Sequence, residues 1–492
     1  MPARKGLLSA RGFRAGLPRK NLPVRNSFIK RKDMQMSLGK LIVNGRQDGF
    51  LCEGKPFFWF ADTCWSAFTS ITEADWDYYL TRRAEQGMNV LQINTLPQWD
   101  RCCPDLGIWP YASEDGVHFD WSRPNQAYWD RAAAMCRAAV EHGIRPALVL
   151  MWCNYVPGTW GAKIAEHCGA EVMPREEVRA HVARVVENLG EFDPVYVVTG
   201  DTDFTSDEAI AYYEDALDEV IKRAPEALRT MHINRGNRTI PSQYLERLDF
   251  YMFQPGHNYE GQPEAWRLPQ DFIANYPKKP MVNSEPCYEQ MGASRNVYWR
   301  FTAQDCRASV WSSILAGASA GVTYGAHGVW NWQTSKSQGS VLGEGFDMPF
   351  RWQECLQFAG VWDFGAIEHV LAGLGATAGD DALAVVPAQG TNQYHHVRQS
   401  AVITLGAHGK QAFRGNTVGK TVFRTDKLLA FQFLEYLHST IAEQPALAGI
   451  AFYIGHFAGI VADYYDSATL GEGMEGSLLK TGNVHGNTPY NG

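Results

Sequence analysis

The chain has 492 residues, 45% hydrophobic and 20% charged, a composition that fits a folded globular protein and excludes a disordered chain. The formal net charge is −8, yet residues 1–33 hold ten Lys/Arg and one acid, so the body sets 35 basic residues against 52 acidic ones; that balance argues against a nucleic-acid partner. No run of about 18 uninterrupted apolar residues occurs, so no membrane partner is expected. Residues 1–36 read as a basic leader with three readings: a disordered tail, an organelle-type transit segment, or translated sequence ahead of a start at Met34 or Met36. The leader lacks the apolar core of a secretory signal, and the ten cysteines form no regular framework. The expectation is therefore a cytoplasmic protein with reduced, mostly buried thiols. Cys102-Cys103 is a vicinal pair, not a Cys-x-x-Cys, and no zinc spacing appears.

From residue 57 short apolar runs alternate with amphipathic ones. Phe57 to Ala61 reads as a strand, and Thr72 caps a helix that runs to about Gly87. Asn89 to Asn94 is the second strand, followed by a long Pro-, Trp- and Asp-rich loop and a helix from Asn125 to His142. Arg145 to Trp152 is the third strand, with a helix at 174–191. Val195 to Val198 is the fourth, with a helix at 206–223, and Thr230 to Ile233 a weaker fifth. Leu248 to Phe253 and Pro280 to Asn283 are the sixth and seventh, separated by a helix at 264–275. A helix at 303–317 leads to the eighth strand, Gly321 to Tyr324. Strand–helix alternation predicts an α/β fold with a parallel sheet, and eight units over about 270 residues predict a (β/α)8 TIM barrel spanning 37–375. An open doubly wound sheet would want a Gly-rich loop after its first strand, where Ala61-Asp62-Thr63-Cys64-Trp65 stands instead. Residues 376–492 form a small C-terminal region of uncertain fold, with strands expected near 382–386 and 402–405 and a helix from Lys427 to Ser439. The stretch Ala446 to Ala462 is apolar but interrupted by His456 and short for a membrane span.

Barrel enzymes work at the C-terminal ends of their strands. The polar residues expected there are Asp62 from strand one, Gln92 and Asn94 from strand two, and Trp152 and Asn154 from strand three. Strand four supplies Asp201 and Asp203, strand five His232 and Asn234, and strand six Gln254 and His257. Strand seven supplies Glu285, and strand eight His327, with Trp330 and Trp332 beyond it. Asp201 and Glu285 lie three β/α units apart, which sets two carboxylates across one barrel mouth. Glycoside hydrolysis needs such a pair, one acid to protonate the leaving oxygen and one carboxylate to attack the anomeric carbon or activate water.

A series of segments adds to this reading. Asn44-Gly45-Arg46, Gly54 to Trp59, Asp62-Thr63-Cys64-Trp65 and Arg83 to Val90 come first. Thr199-Gly200-Asp201, Asn283-Ser284-Glu285-Pro286 and Tyr324 to Trp330 follow in order. Together they resemble the apiosidase-like glycoside hydrolases over about residues 40–335. The resemblance implies a (β/α)8 barrel and retaining chemistry, with the acid/base Asp at Asp201 and the nucleophile Glu at Glu285. It favours Asp201 over its neighbour Asp203, which strand spacing leaves as a rival. The family usually continues into a small β-sandwich, which the segment after 375 does not clearly resemble.

The function expected is a retaining exo-acting glycoside hydrolase that releases a terminal sugar, with apiose or another furanose as the sugar the resemblance suggests. Asp62, Trp65, Asn94, Trp152, Asn154, Asp203, His232, Gln254, His257, His327 and Trp330 are the candidate substrate-binding residues. The partner is a carbohydrate, and no metal or cofactor is called for. Three alternatives stand beside this reading. They are a glycosidase of different sugar specificity, a non-catalytic carbohydrate-binding barrel, and a metal-dependent hydrolase built on His232 and His257.

Overall fold

Strands covered on both faces read as unbroken apolar runs, and such runs form the centre of this protein. The structure, a computed structural model, describes residues 38–166, 170–294, 297–338, 348–373, 383–387 and 401–405. Eight strands make one sheet: β1 (Trp59–Thr63), β2 (Val90–Asn94), β3 (Arg145–Trp152), β4 (Val195–Gly200), β5 (Arg229–Thr230), β6 (Tyr251–Phe253), β7 (Met281–Asn283) and β8 (Gly321–Tyr324). Every strand but β5 is buried along its whole length. The order β5-β4-β3-β2-β1-β8-β7-β6, with every pairing parallel, is that of a (β/α)8 barrel. The ring is joined between β5 and β6 by Asp249 N–H to Arg229 O (2.9 Å) and Thr230 Oγ1 to Phe250 O (2.7 Å).

The helices α1 (Glu73–Glu85), α2 (Gln126–Glu141), α3 (Arg175–Leu189), α4 (Asp207–Arg223), α5 (Ser242–Leu245), α6 (Glu264–Asn275) and α7 (Ala303–Leu315) follow β1 to β7 in turn. Their starts are set by side-chain caps. Thr72 Oγ1 accepts from Asp75 N–H, Ser206 Oγ from Ala209 N–H, and Thr302 forms a reciprocal capping box with Asp305. The eighth strand is followed, after an intervening loop, by α8 (Gly360–Gly365).

The first strand begins two residues later than the sequence suggested. Lys55–Phe57 belongs instead to a small antiparallel sheet with Leu41–Val43 and Phe50–Cys52. That sheet closes the N-terminal end of the barrel, where Phe50 meets Phe250 edge-on at 5.0 Å and lies 6.4 Å from Trp59. Leu383–Pro387 and Ala401–Leu405 form an antiparallel pair, close to the two strands expected there. The basic leader and the helix expected at 427–439 lie outside the described residues. Among those described, no helix is long and apolar enough to cross a membrane, and no cysteine is in a disulfide.

Candidate active site

Two carboxylates converge at the C-terminal mouth. β4 ends at Gly200, and Asp201 then takes a left-handed backbone, φ 56°, a conformation that Asp tolerates better than most residues. The step is possible because residue 200 has no side chain: a Cβ there would lie 2.1 Å from the Trp152 ring. Trp160 Nε1–H fixes the turn by donating to Asp201 O at 2.7 Å. Glu285 follows β7, and its backbone N–H donates to Asn283 Oδ1 at 3.3 Å. Oxygens of the two carboxylates and a nitrogen of His232 all lie within 4.8 Å of one another.

Their surroundings push the two acids apart. Burial raises the Asp201 carboxyl most, the Glu285 charge adds to it, and the group is held at about 7 despite His232 and a hydrogen bond from Gln254. Gln254 Nε2–H donates to Asp201 Oδ1, which leaves Oδ2 as the oxygen free to carry a proton. Burial would also raise Glu285, but His232 and His257 overcome it and hold its carboxyl well below the usual range. His257 Nε2 lies 2.6 Å from Oε1. His232 Nε2 lies 3.1 Å from Oε2, off the line of a well-formed hydrogen bond. The Asp201 N–H donates to His232 Nδ1 at 3.3 Å, so a neutral His232 keeps its proton on Nε2, facing Glu285.

Aromatic rings hold these groups in place. His232 packs against both Trp65 (5.6 Å) and Trp152 (5.7 Å), which meet each other edge-on at 5.1 Å. Trp65 Nε1–H donates to the Tyr288 hydroxyl at 3.0 Å, and Tyr288 packs on His257 with ring centroids 4.0 Å apart. Asp201, Glu285, His232, His257, Gln254, Trp65 and Trp152 are therefore brought together as the sequence suggested.

Asp62 does not join them. It lies within β1 and faces the helices, where Arg83 Nε and the Tyr79 hydroxyl each approach Oδ2 at 2.6 Å, with both charged side chains fully buried. Strand alternation explains this: Trp59 and Thr323 share a bond inside the barrel, so the intervening register turns Phe60 and Asp62 outward. The later start of the strand moved Asp62 from the strand's end into its body. Asp203 is bonded by Thr205 Oγ1 at 3.1 Å on its own loop, because the left-handed turn at Asp201 breaks the period-two alternation that would aim both acids one way. Asn94 is bonded to Gln98, Asn154 is buried at the end of β3, and His327 Nδ1 accepts from Trp330 Nε1–H at 3.2 Å on the loop after β8.

The strand-end survey missed Asp100, Tyr288 and Asn331, which sit on loops rather than at strand ends. Asp100 is raised to about 7, by burial first and among charges by Glu285. The only sequence signal for it was its place in the Trp- and Asp-rich loop after β2. Asp201, His232 and Glu285 also make a set that could approach a cation. Gln254 already occupies Asp201 Oδ1, and the Asp201 amide occupies His232 Nδ1, so Asp201 Oδ2, His232 Nε2 and Glu285 Oε2 are the atoms such an ion would meet.

Residues 47–377 match the family described as apiosidase-like, catalytic domain. Among solved structures the chain is similar to one titled glycoside hydrolase, at 22% identity and a TM-score of 0.58, covering 73% of this chain and 80% of that one. It is also similar to a glycoside hydrolase family 5 structure from Bacteroides vulgatus, at 24% identity and a TM-score of 0.57, covering 73% and 76%. Both likenesses are of fold. No curated protein sequence matches the chain. The chain belongs to the apiosidase-like family of glycoside hydrolases, and its substrate is a carbohydrate.

Proposed function

We propose that this apiosidase-like enzyme is a retaining, exo-acting glycosidase that releases a terminal sugar by double displacement. One observation carries the reading: the Asp201 and Glu285 carboxylates approach within 4.8 Å, near the separation of about 5–5.5 Å of retaining enzymes and short of the 6.5–9.5 Å that an inverting enzyme needs for its water. The opposite titration of the two acids supports the same roles.

Glu285, held ionised by His257 and His232, attacks the anomeric carbon through Oε2, its less firmly held oxygen. Asp201 gives its Oδ2 proton to the glycosidic oxygen as the bond to the leaving group breaks. The product is a glycosyl ester on Glu285. Asp201, now a carboxylate, takes a proton from water as that water attacks the same carbon, and Glu285 leaves as carboxylate. Gln254 keeps Asp201 oriented through both steps. The sugar we favour is a furanose such as apiose, which the family description suggests.

The test is sugar release from a panel of terminal furanosides, pyranosides and pectic oligosaccharides, with wild type beside Glu285→Gln. Release of one sugar, with at least about a thousandfold loss in the variant, supports the mechanism. An anomeric product of inverted configuration by proton NMR, or equal activity in both proteins, refutes it.

A further inference from the structure

The loop after β2 carries a third acid into the barrel mouth. Asp100 lies on Pro97–Arg101, a segment fastened along its length. Tyr155 OH donates to Pro97 O at 2.8 Å, and Asn94 Nδ2 bonds Gln98 Oε1. Arg101 Nη1 donates to Gln98 O and Nη2 to Gly116 O, each at 3.0 Å, while Nε pairs with Asp105 at 2.7 Å. Cys102 N–H donates to Asn331 O at 3.0 Å, tying this loop to the one after β8. Trp99 meets Trp160 edge-on at 6.1 Å, and Trp160 in turn holds Asp201. The loop thus arches over the mouth and sets Asp100 where its charge couples to both Asp201 and Glu285.

The Asp100 carboxylate takes hydrogen bonds from the Gln98 side chain and its own backbone, and although the residue keeps some exposure, its Oδ1 is buried with no hydrogen-bond partner among the described residues. The same holds for Asn94 Oδ1, Trp152 Nε1, Asn154 Oδ1, and both Oδ1 and Nδ2 of Asn331. Buried polar atoms are nearly always paired. These sit at the ends of β2 and β3 and on the loop after β8, one sector of the mouth, with acceptors outnumbering donors. A ligand rich in hydroxyls would satisfy such a set. Arg101, the guanidinium next in sequence, has its donors committed to Gln98, Gly116 and Asp105, so it is not turned toward a ligand.

We propose that Asp100, with the unpaired Asn154 and Asn331 of the same sector, grips the hydroxyls of the sugar being released and selects an uncharged sugar over a uronic acid. This rests on the glycosidase reading above. A carboxylate accepts from hydroxyl hydrogens, whereas a uronate would bring a fourth acid against Asp100, Asp201 and Glu285.

The experiment uses 4-nitrophenyl glycosides of neutral pentoses and hexoses, the matching uronides, and single-deoxy analogues of whichever glycoside the wild type cleaves. Full-length wild type, Asp100→Asn, Asp100→Ala and Glu285→Gln are compared, each with its melting temperature. Expected are cleavage of a neutral glycoside over uronides, and a loss of about tenfold in kcat/KM for the Asn variant and about a hundredfold for Ala. The wild type should discriminate against one deoxy analogue, and both variants should lose that discrimination while melting no lower. A merely structural role would lower melting and leave the discrimination intact. Asp100 variants that treat parent and deoxy sugars as the wild type does, beside an inactive Glu285→Gln, overturn this proposal alone. Preference for uronides overturns it too. Absence of any cleavage takes down the glycosidase reading, and this one with it.

Discussion

The alkaline limb of the pH–rate profile should belong to Asp201, and removing the Glu285 charge should move it. Asp201 acts as an acid only while protonated, and its carboxyl is held at about 7. Wild-type kcat/KM should therefore fall about tenfold for each pH unit above that point. Two unit charges 4.8 Å apart interact by about 3.5 kcal/mol at an effective dielectric constant of about 20, which corresponds to about two and a half pH units. Burial remains when Glu285 becomes Gln, so Asp201 should come down by about two and a half pH units at most and stay above the free carboxyl. The assay is formation of glycosyl azide by Glu285→Gln, with azide as the external nucleophile and a glycoside whose poor leaving group demands acid assistance. Its alkaline limb should lie about two and a half pH units below that of the wild type. In the proposed double displacement the same shift operates in turnover. Once Glu285 is esterified its charge is gone, and Asp201 becomes the carboxylate that the second step needs as a base. A wild-type rate that stays flat to about pH 9, or a rescued variant with the wild-type limb, would refute the coupling.

Other outcomes follow from specific contacts. Gly200→Ala places a methyl 2.1 Å from the Trp152 ring, so kcat/KM should drop at least about a hundredfold while stability falls by only about 1–3 kcal/mol, read by denaturant unfolding. Arg83→Met strands the buried Asp62 carboxylate and should cost about 3–5 kcal/mol; whatever enzyme remains folded should keep its KM, since neither residue lines the mouth. His257→Gln removes one of the two groups that hold the Glu285 carboxyl down. Glu285 must be ionised to attack, so the acid limb of kcat/KM should move to higher pH, and an unmoved limb would detach His257 from the nucleophile. Treatment with EDTA should leave activity unchanged, and its loss would favour a metal at Asp201, His232 and Glu285.

The barrel was readable because its strands are apolar on both faces and its helices announce themselves by caps such as Thr72, Ser206 and Thr302. The convergence of Asp201 and Glu285 was readable for a related reason: in this fold, position along the chain fixes position around the mouth. Asp62 went astray because Phe57 and Phe58 run without a break into the barrel strand that starts at Trp59, and a shift of two residues changes an end position into an interior one. Asp203 went astray because alternation assumes a straight strand, and the left-handed turn at Asp201 ends it. Asp100, Tyr288 and Asn331 depend on loop paths, which hydrophobic periodicity does not describe. Asp100 owes its place to Trp99 and Tyr155, which tie its loop to the segment after β3, and to the Cys102 amide, bonded to Asn331 on the loop after β8.

The joint between β5 and β6 has a consequence for how the site behaves as a material. Among the described residues these two strands share no ladder, and short links hold them: the bonds at Arg229 and Thr230, with Gln254 Nε2 to Ile233 O at 2.9 Å and Gly236 N–H to Gln254 O at 3.0 Å nearer the mouth. His232 stands on one bank of that joint, and Gln254 and His257 on the other. A sugar seated between them acts as a suture across the weakest line of the ring. Occupancy should then slow amide exchange along residues 229–236 and 249–256 more than elsewhere, since a ligand stabilises most the openings that would expel it. On that expectation the groups proposed for the chemistry are also the stitches, and the barrel should be most fully closed with a sugar in place.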